Sequence, residues 1–192
     1  MSNVPFNFFP RICIRLKYSS LIYLVLSWLV TISTALYNVN SSIIVLYLLD
    51  LTIYLQLLSL AVSLYFTWQW LKNLYTLARK LDSNTLTYKT GWAFWGWIVP
   101  IAFFWIPRRM IDEAIKVLNG SSSRSFELET KKWWTLWVIS ILIGNLSFRA
   151  FENQLNSVEL LLLAGESILL SFAYPLWIKI VDTSNQLVSL NK

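Results

Sequence analysis

The 28 residues at positions 43–70 carry a single charged side chain, Asp50. A helix that crosses a hydrocarbon core of about 30 Å needs about 20 predominantly apolar residues. A soluble fold has little use for a run this long, so it predicts a membrane-spanning helix. Three further stretches read the same way: 19–37, which has no charge, 133–148, and 158–181, which includes Glu159, Glu166 and Lys179. The stretch 133–148 is short but can borrow length from its flanks. The predicted fold class is all-α, a polytopic membrane helix bundle forming one integral membrane domain over 1–192. Composition agrees: 56% of residues are hydrophobic and 14% charged, against about 25% charged in soluble domains.

A fifth apolar stretch, 91–106, is different. Pro100 interrupts it and Pro107 closes it. Proline removes a backbone donor and disfavours helical geometry at the residue before it. Gly91 and Gly96 loosen it further, and Trp92, Trp95, Trp97 and Trp105 crowd it with a residue that prefers headgroup depth. Lys and Arg placement decides how it runs. If all five stretches cross, the 16 basic residues split into 8 and 8, with Arg11, Arg15, Lys17, Lys72, Arg79, Lys80, Lys89 and Arg149 on one side. If 91–106 returns to its own side, only Arg149 is separated from the other 15. Basic residues concentrate on the cytoplasmic side of a membrane protein. The expectation is therefore four spans, a re-entrant or interfacial Trp-rich segment, and both termini in the cytoplasm. The first stretch follows basic residues as a signal peptide would, but its 19 apolar residues exceed a usual signal core, and it reads as a span.

Two non-spanning pieces show helical spacing. Leu71, Leu74, Tyr75, Ala78 and Leu81 extend the second helix beyond the membrane. Met110, Ile111, Ala114, Ile115 and Leu118 form one face of an amphipathic helix over 107–118. Pro107 suits its first position, Asn119-Gly120 its end, and 121–125 reads as a flexible linker.

The stretch from 68 to 137 resembles a bacterial membrane family, the domain of unknown function 4328 family. Trp68-Gln69-Trp70-Leu71-Lys72-Asn73 is followed by Gly91-Trp92-Ala93-Phe94-Trp95-Gly96-Trp97-Ile98-Val99-Pro100-Ile101. Phe104-Trp105-Ile106-Pro107, then Met110 to Glu113, and Trp133-Trp134-Thr135-Leu136-Trp137 complete the pattern. Thr90 stands where the family often has Pro. The resemblance implies a multi-pass protein of a bacterial cytoplasmic membrane and implies no chemistry.

The counts exclude much. There is no His, which removes His-based acid–base catalysis and His-ligated metal sites. One Cys, Cys13, permits no internal disulfide and no thiolate cluster. None of the 5 glycines lies in a phosphate-cradling motif. The chain therefore reads as a non-enzyme without cofactor or metal. Its net charge of +6 points to loop orientation and anionic lipid headgroups rather than nucleic acid.

Three groups of residues are candidates for function. Asp50 and Glu166 lie 7 and 8 residues inside their stretches, roughly 10–12 Å below the outer surface. Asn145 and Arg149 end the fourth stretch on that side, so the four are expected to form an intramembrane polar cluster. The broken segment, through Gly91, Trp92, Trp95, Trp97, Pro100, Trp105 and Pro107, is a second candidate, since irregular backbone at membrane depth is covered by protein or lines a wet cavity. Lys72, Arg79, Lys80, Arg108, Arg109, Lys131 and Lys132 form a basic surface for lipid headgroups or a partner. Together these predict a non-enzymatic scaffold, subunit or regulatory module, with a second copy or another membrane protein as partner. The alternative is an oligomeric transporter or channel for an ion, small molecule or lipid, built on the broken segment and the carboxylates.

Overall fold

A computed structural model describes residues 9–120, 124–153 and 156–191. Seven helices account for most of them: α1 (Phe9–Val39), α2 (Ile43–Leu81), α3 (Trp92–Ile98), α4 (Pro100–Phe103), α5 (Ile106–Asn119), α6 (Arg124–Glu152) and α7 (Asn156–Leu190). No strand occurs among the described residues. Four helices, α1, α2, α6 and α7, are long and apolar enough to cross a membrane, and the protein is a multi-pass membrane protein. Most of the 121–125 stretch, read as a linker, lies outside the described residues.

The chain divides into two compact units. Unit 1 comprises Met1–Lys17, Leu64–Trp134 and Leu176–Lys192; unit 2 comprises Tyr18–Ser63 and Thr135–Pro175.

Unit 1 has an aromatic core. Trp70 is fully buried, meets Trp177 edge-on at 5.2 Å, and donates its indole N–H to Ser184 Oγ at 3.1 Å. Trp133 stacks on Trp177 at 4.5 Å. Such pairs contribute about 0.5–1.5 kcal/mol beyond their area. The start of α1 adds Phe9, Ile12, Cys13 and Leu16, all buried at helical spacing. Lys17 at its end pairs with Asp182 of α7 at 2.8 Å.

The amphipathic helix is present as α5. Ile106, Pro107, Met110, Ile111, Ala114, Ile115 and Leu118 are buried, and Pro107 stands in the first turn. Gly120 ends the helix at φ 67°, a conformation that costs glycine nothing.

Unit 2 is held by small hydroxyl residues. Ser27 of α1 bonds Ser167 of α7 at 2.9 Å, and Thr31 reaches the same Ser167 at 3.1 Å. Trp28 Nε1 donates to Ser171 Oγ at 3.0 Å, and Ser20 bonds Ser63 of α2 at 3.2 Å. Small polar residues let membrane helices approach and bond where no hydrophobic force draws them together. In the part of α2 that belongs to unit 2, positions 45, 49, 52, 56, 59 and 63 are covered, with 60 beside 59. This alternation of four and three residues is a coiled-coil-like seam.

Candidate functional site

The interrupted segment is built as two short helices that lead into α5. Helix α3 stops at Val99, whose ψ of 113° leaves helical geometry before Pro100. Helix α4 follows for four residues, and α5 starts after Trp105 at φ −144°. The three helices contact one another within unit 1. Gly96 permits this: a Cβ there would stand 3.2 Å from the Ile106 side chain. The break exposes carbonyls, and Trp134 answers one of them, donating its indole N–H to Phe104 O at 2.8 Å. Trp97 meets Trp134 edge-on at 5.8 Å, and Phe94 meets Trp68 at 5.4 Å. Trp92 is half-buried, whereas Gly91, Trp95 and Trp105 are exposed. Aromatic side chains of the same unit thus meet the segment at Phe94, Trp97 and Phe104, while Ile98, Val99, Ile101 and Trp105 are exposed.

The basic residues fall into different environments. Lys72, Lys80, Arg109, Lys131 and Lys132 are exposed. Lys72 stands over the Trp68 ring at 5.6 Å. Arg79 is turned inward: it donates to Tyr88 O and lies over the Tyr75 ring. Beside it, Tyr75 donates to Glu113 Oε2 at 2.8 Å and accepts from Tyr88 N–H at 2.9 Å. Thr87 N–H also reaches Glu113 Oε2, at 3.1 Å. This network fastens the loop after α2 to α5. Arg108 Nε stands 3.4 Å from Asp112 Oδ2, an ion pair without hydrogen-bond geometry. Thr130 of α6 donates to Asp112 Oδ1. Burial pushes the Asp112 carboxyl up to about 6, against the lowering effects of Thr130 and Arg108.

In unit 2 the four intramembrane polar residues have separate surroundings. Asn145 is exposed and donates to Ile141 O of its own helix at 2.8 Å. Arg149 is exposed, and its carbonyl accepts from Asn153. Asp50 is exposed on α2. No hydrogen bond or ion pair joins these four among the described residues. Glu166 is the half-buried member. It lies 10 residues into α7, about 15 Å along the axis from the helix start. Its carboxylate fills the space beside Gly144 of α6, where a Cβ would stand 2.8 Å from Oε2. A carboxylate within a membrane-spanning helix is protonated, wet or paired.

Asp50 has a different setting. On α2, positions 47 and 54 flank it at one-turn spacing, so the three share a face. Tyr47 and Tyr54 are 68% and 71% exposed. Ser59, in the buried seam, is nine residues from Asp50, which at 100° per residue is the opposite side of the helix. The face therefore carries two phenol donors and one carboxylate acceptor, turned away from the seam that holds α2 in its own chain.

Sequence reasoning did not single out Gly144, Asp112, Thr130, Glu113 or Glu129. The spacing of Glu113 and Asp112 on the polar face of α5 resembles a solvated face, and only the packed partners reveal otherwise. Among the described residues no group of acidic, Cys or His side chains is arranged to hold a metal.

A family model described as "Domain of unknown function (DUF4328)" matches residues 47–167. That range includes Asp50, the broken segment, α5, Gly144 and Glu166. No curated protein and no solved structure matches the chain.

Proposed function

The chain belongs to the DUF4328 family, and from that premise we propose that it is a non-enzymatic module of the bacterial cytoplasmic membrane that works as a self-associating subunit or scaffold. The concentration of Lys and Arg supports termini on the cytoplasmic side. One observation carries the reading: Asp50 is exposed on α2, in a span whose most apolar window is only 17% buried. Exposed apolar side chains are satisfied by lipid. An exposed carboxylate is not: it costs about 2.5–3.5 kcal/mol at the centre of a span and less toward the interface. A second copy supplies what it lacks. Tyr47 and Tyr54 of one copy donate to Asp50 of the other, and a twofold axis makes the exchange reciprocal.

The test is the oligomeric state of the full chain in lipid nanodiscs. The expected result is a dimer for the natural sequence. Tyr47→Phe combined with Tyr54→Phe keeps the rings, removes both donors and shifts the population to monomer. A monomeric natural protein, or a double variant as dimeric as its parent, contradicts the reading.

A second reading has its own observation. Glu166, deep in α7 and set against a glycine, supports proton- or cation-coupled transport. Proteoliposome flux that responds to a pH gradient and is lost in Glu166→Gln is the expected signature. Equal flux with and without the substitution contradicts it.

A further inference from the structure

Unit 1 contains a cleft of about 220 Å³ between the end of α5, the start of α6 and the last turns of α7. Its walls are apolar at Ile115, Phe126 and Leu187, and polar at Glu129, Lys179 and Thr183. Glu129 and Lys179 form an ion pair at 2.5 Å across it. The position is set by sequence. The apolar run of α6 begins at Trp133, four residues after Glu129, and that of α7 ends around Lys179. The cleft therefore opens at headgroup depth, where an apolar chain on one side meets charge on the other.

We propose that this cleft binds a zwitterionic phospholipid through its headgroup, specifically one with a primary ammonium, as in phosphatidylethanolamine. The two charges in the cleft match the two in that headgroup. Lys179, whose side chain is 61% exposed, receives the phosphate; Glu129, at 24%, accepts hydrogen bonds from the ammonium. An exposed ion pair contributes little by itself, so separating Lys179 from Glu129 gives up little. Two charge-assisted contacts replace one. The apolar walls take the glycerol and the first chain carbons. A choline headgroup presents no N–H to Glu129, and an anionic glycerol headgroup presents no positive charge to it. The cleft therefore discriminates by headgroup rather than by net charge alone.

The experiment is native mass spectrometry of the full chain released from nanodiscs of phosphatidylcholine containing equal minor amounts of phosphatidylethanolamine and phosphatidylglycerol. Phosphatidylethanolamine is expected to be retained several-fold over the other two. Glu129→Gln removes its advantage over phosphatidylcholine. Thr183→Leu, which fills the cleft and leaves both charges in place, lowers retention of phosphatidylethanolamine while thermal unfolding remains cooperative. Equal retention of all three lipids overturns the proposal. Preference for phosphatidylglycerol overturns it in favour of a general basic surface. Displacement of the bound lipid by soluble phosphoethanolamine at equal concentration would assign the site to a soluble ligand and overturn the lipid assignment.

Discussion

Gly144 of α6 leaves the room that the Glu166 carboxylate of α7 occupies, with Oε2 2.8 Å from where a Cβ would stand. The contact is between backbone and the far end of a flexible side chain, so it can yield by rotation. Gly144→Ala is expected to displace the carboxylate at a cost near the 0.5–1.5 kcal/mol of an off-rotamer side chain. Gly144→Leu overpacks the same place and costs about 1–3 kcal/mol. Thermal unfolding in one lipid composition measures both, and Glu166→Ala in either background should recover most of the loss. No recovery would mean that Gly144 serves something other than Glu166.

Asp112 makes unit 1 sensitive to pH. Its carboxyl is raised to about 6 by burial, from an ordinary value of 3.8. The folded state therefore holds the proton more tightly than the unfolded chain does. The resulting stability is fully present below about pH 4 and is lost as pH rises through 6. Asp112→Asn keeps an acceptor for Thr130 and removes the charge. Its melting temperature should exceed that of the natural protein at pH 8 and approach it at pH 4. A variant less stable at pH 8 would show that the Arg108 pairing outweighs desolvation.

Glu113 fastens the loop after α2 through Tyr75 and Thr87. Glu113→Ala leaves the buried Tyr75 hydroxyl without its acceptor, and an unsatisfied buried group costs about 1–3 kcal/mol. The loop, no longer bonded to α5, should become a site of tryptic cleavage at Lys89. Limited proteolysis of the solubilised protein, followed by mass analysis of the fragments, checks this. Unchanged resistance would show that the Arg79 bond to Tyr88 O suffices to hold the loop.

Trp177 meets both Trp70 and Trp133. Trp177→Ala removes the shared partner of the aromatic core in unit 1, a truncation that costs about 3–5 kcal/mol. Trp105→Ala, at an exposed position, should cost far less. Similar losses for the two would place the core elsewhere.

The architecture was legible because membrane spans obey strong rules. Run length marked five apolar stretches, the prolines and the Lys/Arg placement reduced them to four spans, and all four lie within long apolar helices. Pro100 and Pro107 marked the break between α3 and α5, and Asn119-Gly120 marked the end of α5. Helix α1 begins ten residues before the apolar stretch 19–37. Phe9, Ile12, Cys13 and Leu16 have helical spacing, but Arg11, Arg15 and Lys17 among them resembled a flank. The polar residues were harder. Depth along a helix can be counted from sequence, which placed Asp50, Asn145, Arg149 and Glu166 at similar levels. Rotation about each helix depends on packing, so direction could not be counted. Asn145 turns to its own backbone, Asp50 faces away from the α2 seam, and Glu166 turns to a glycine whose only signal is the absence of a side chain.

Self-association through α2 is tested most directly by disulfide cross-linking in native membranes, in a Cys13→Ser background. Leu57→Cys lies seven residues from Asp50, on its face, and is 58% exposed; Ser59→Cys lies in the seam and is 8% exposed. The account predicts a cross-linked dimer for Leu57→Cys and none for Ser59→Cys. No dimer at Leu57, or equal dimer at both positions, would contradict it.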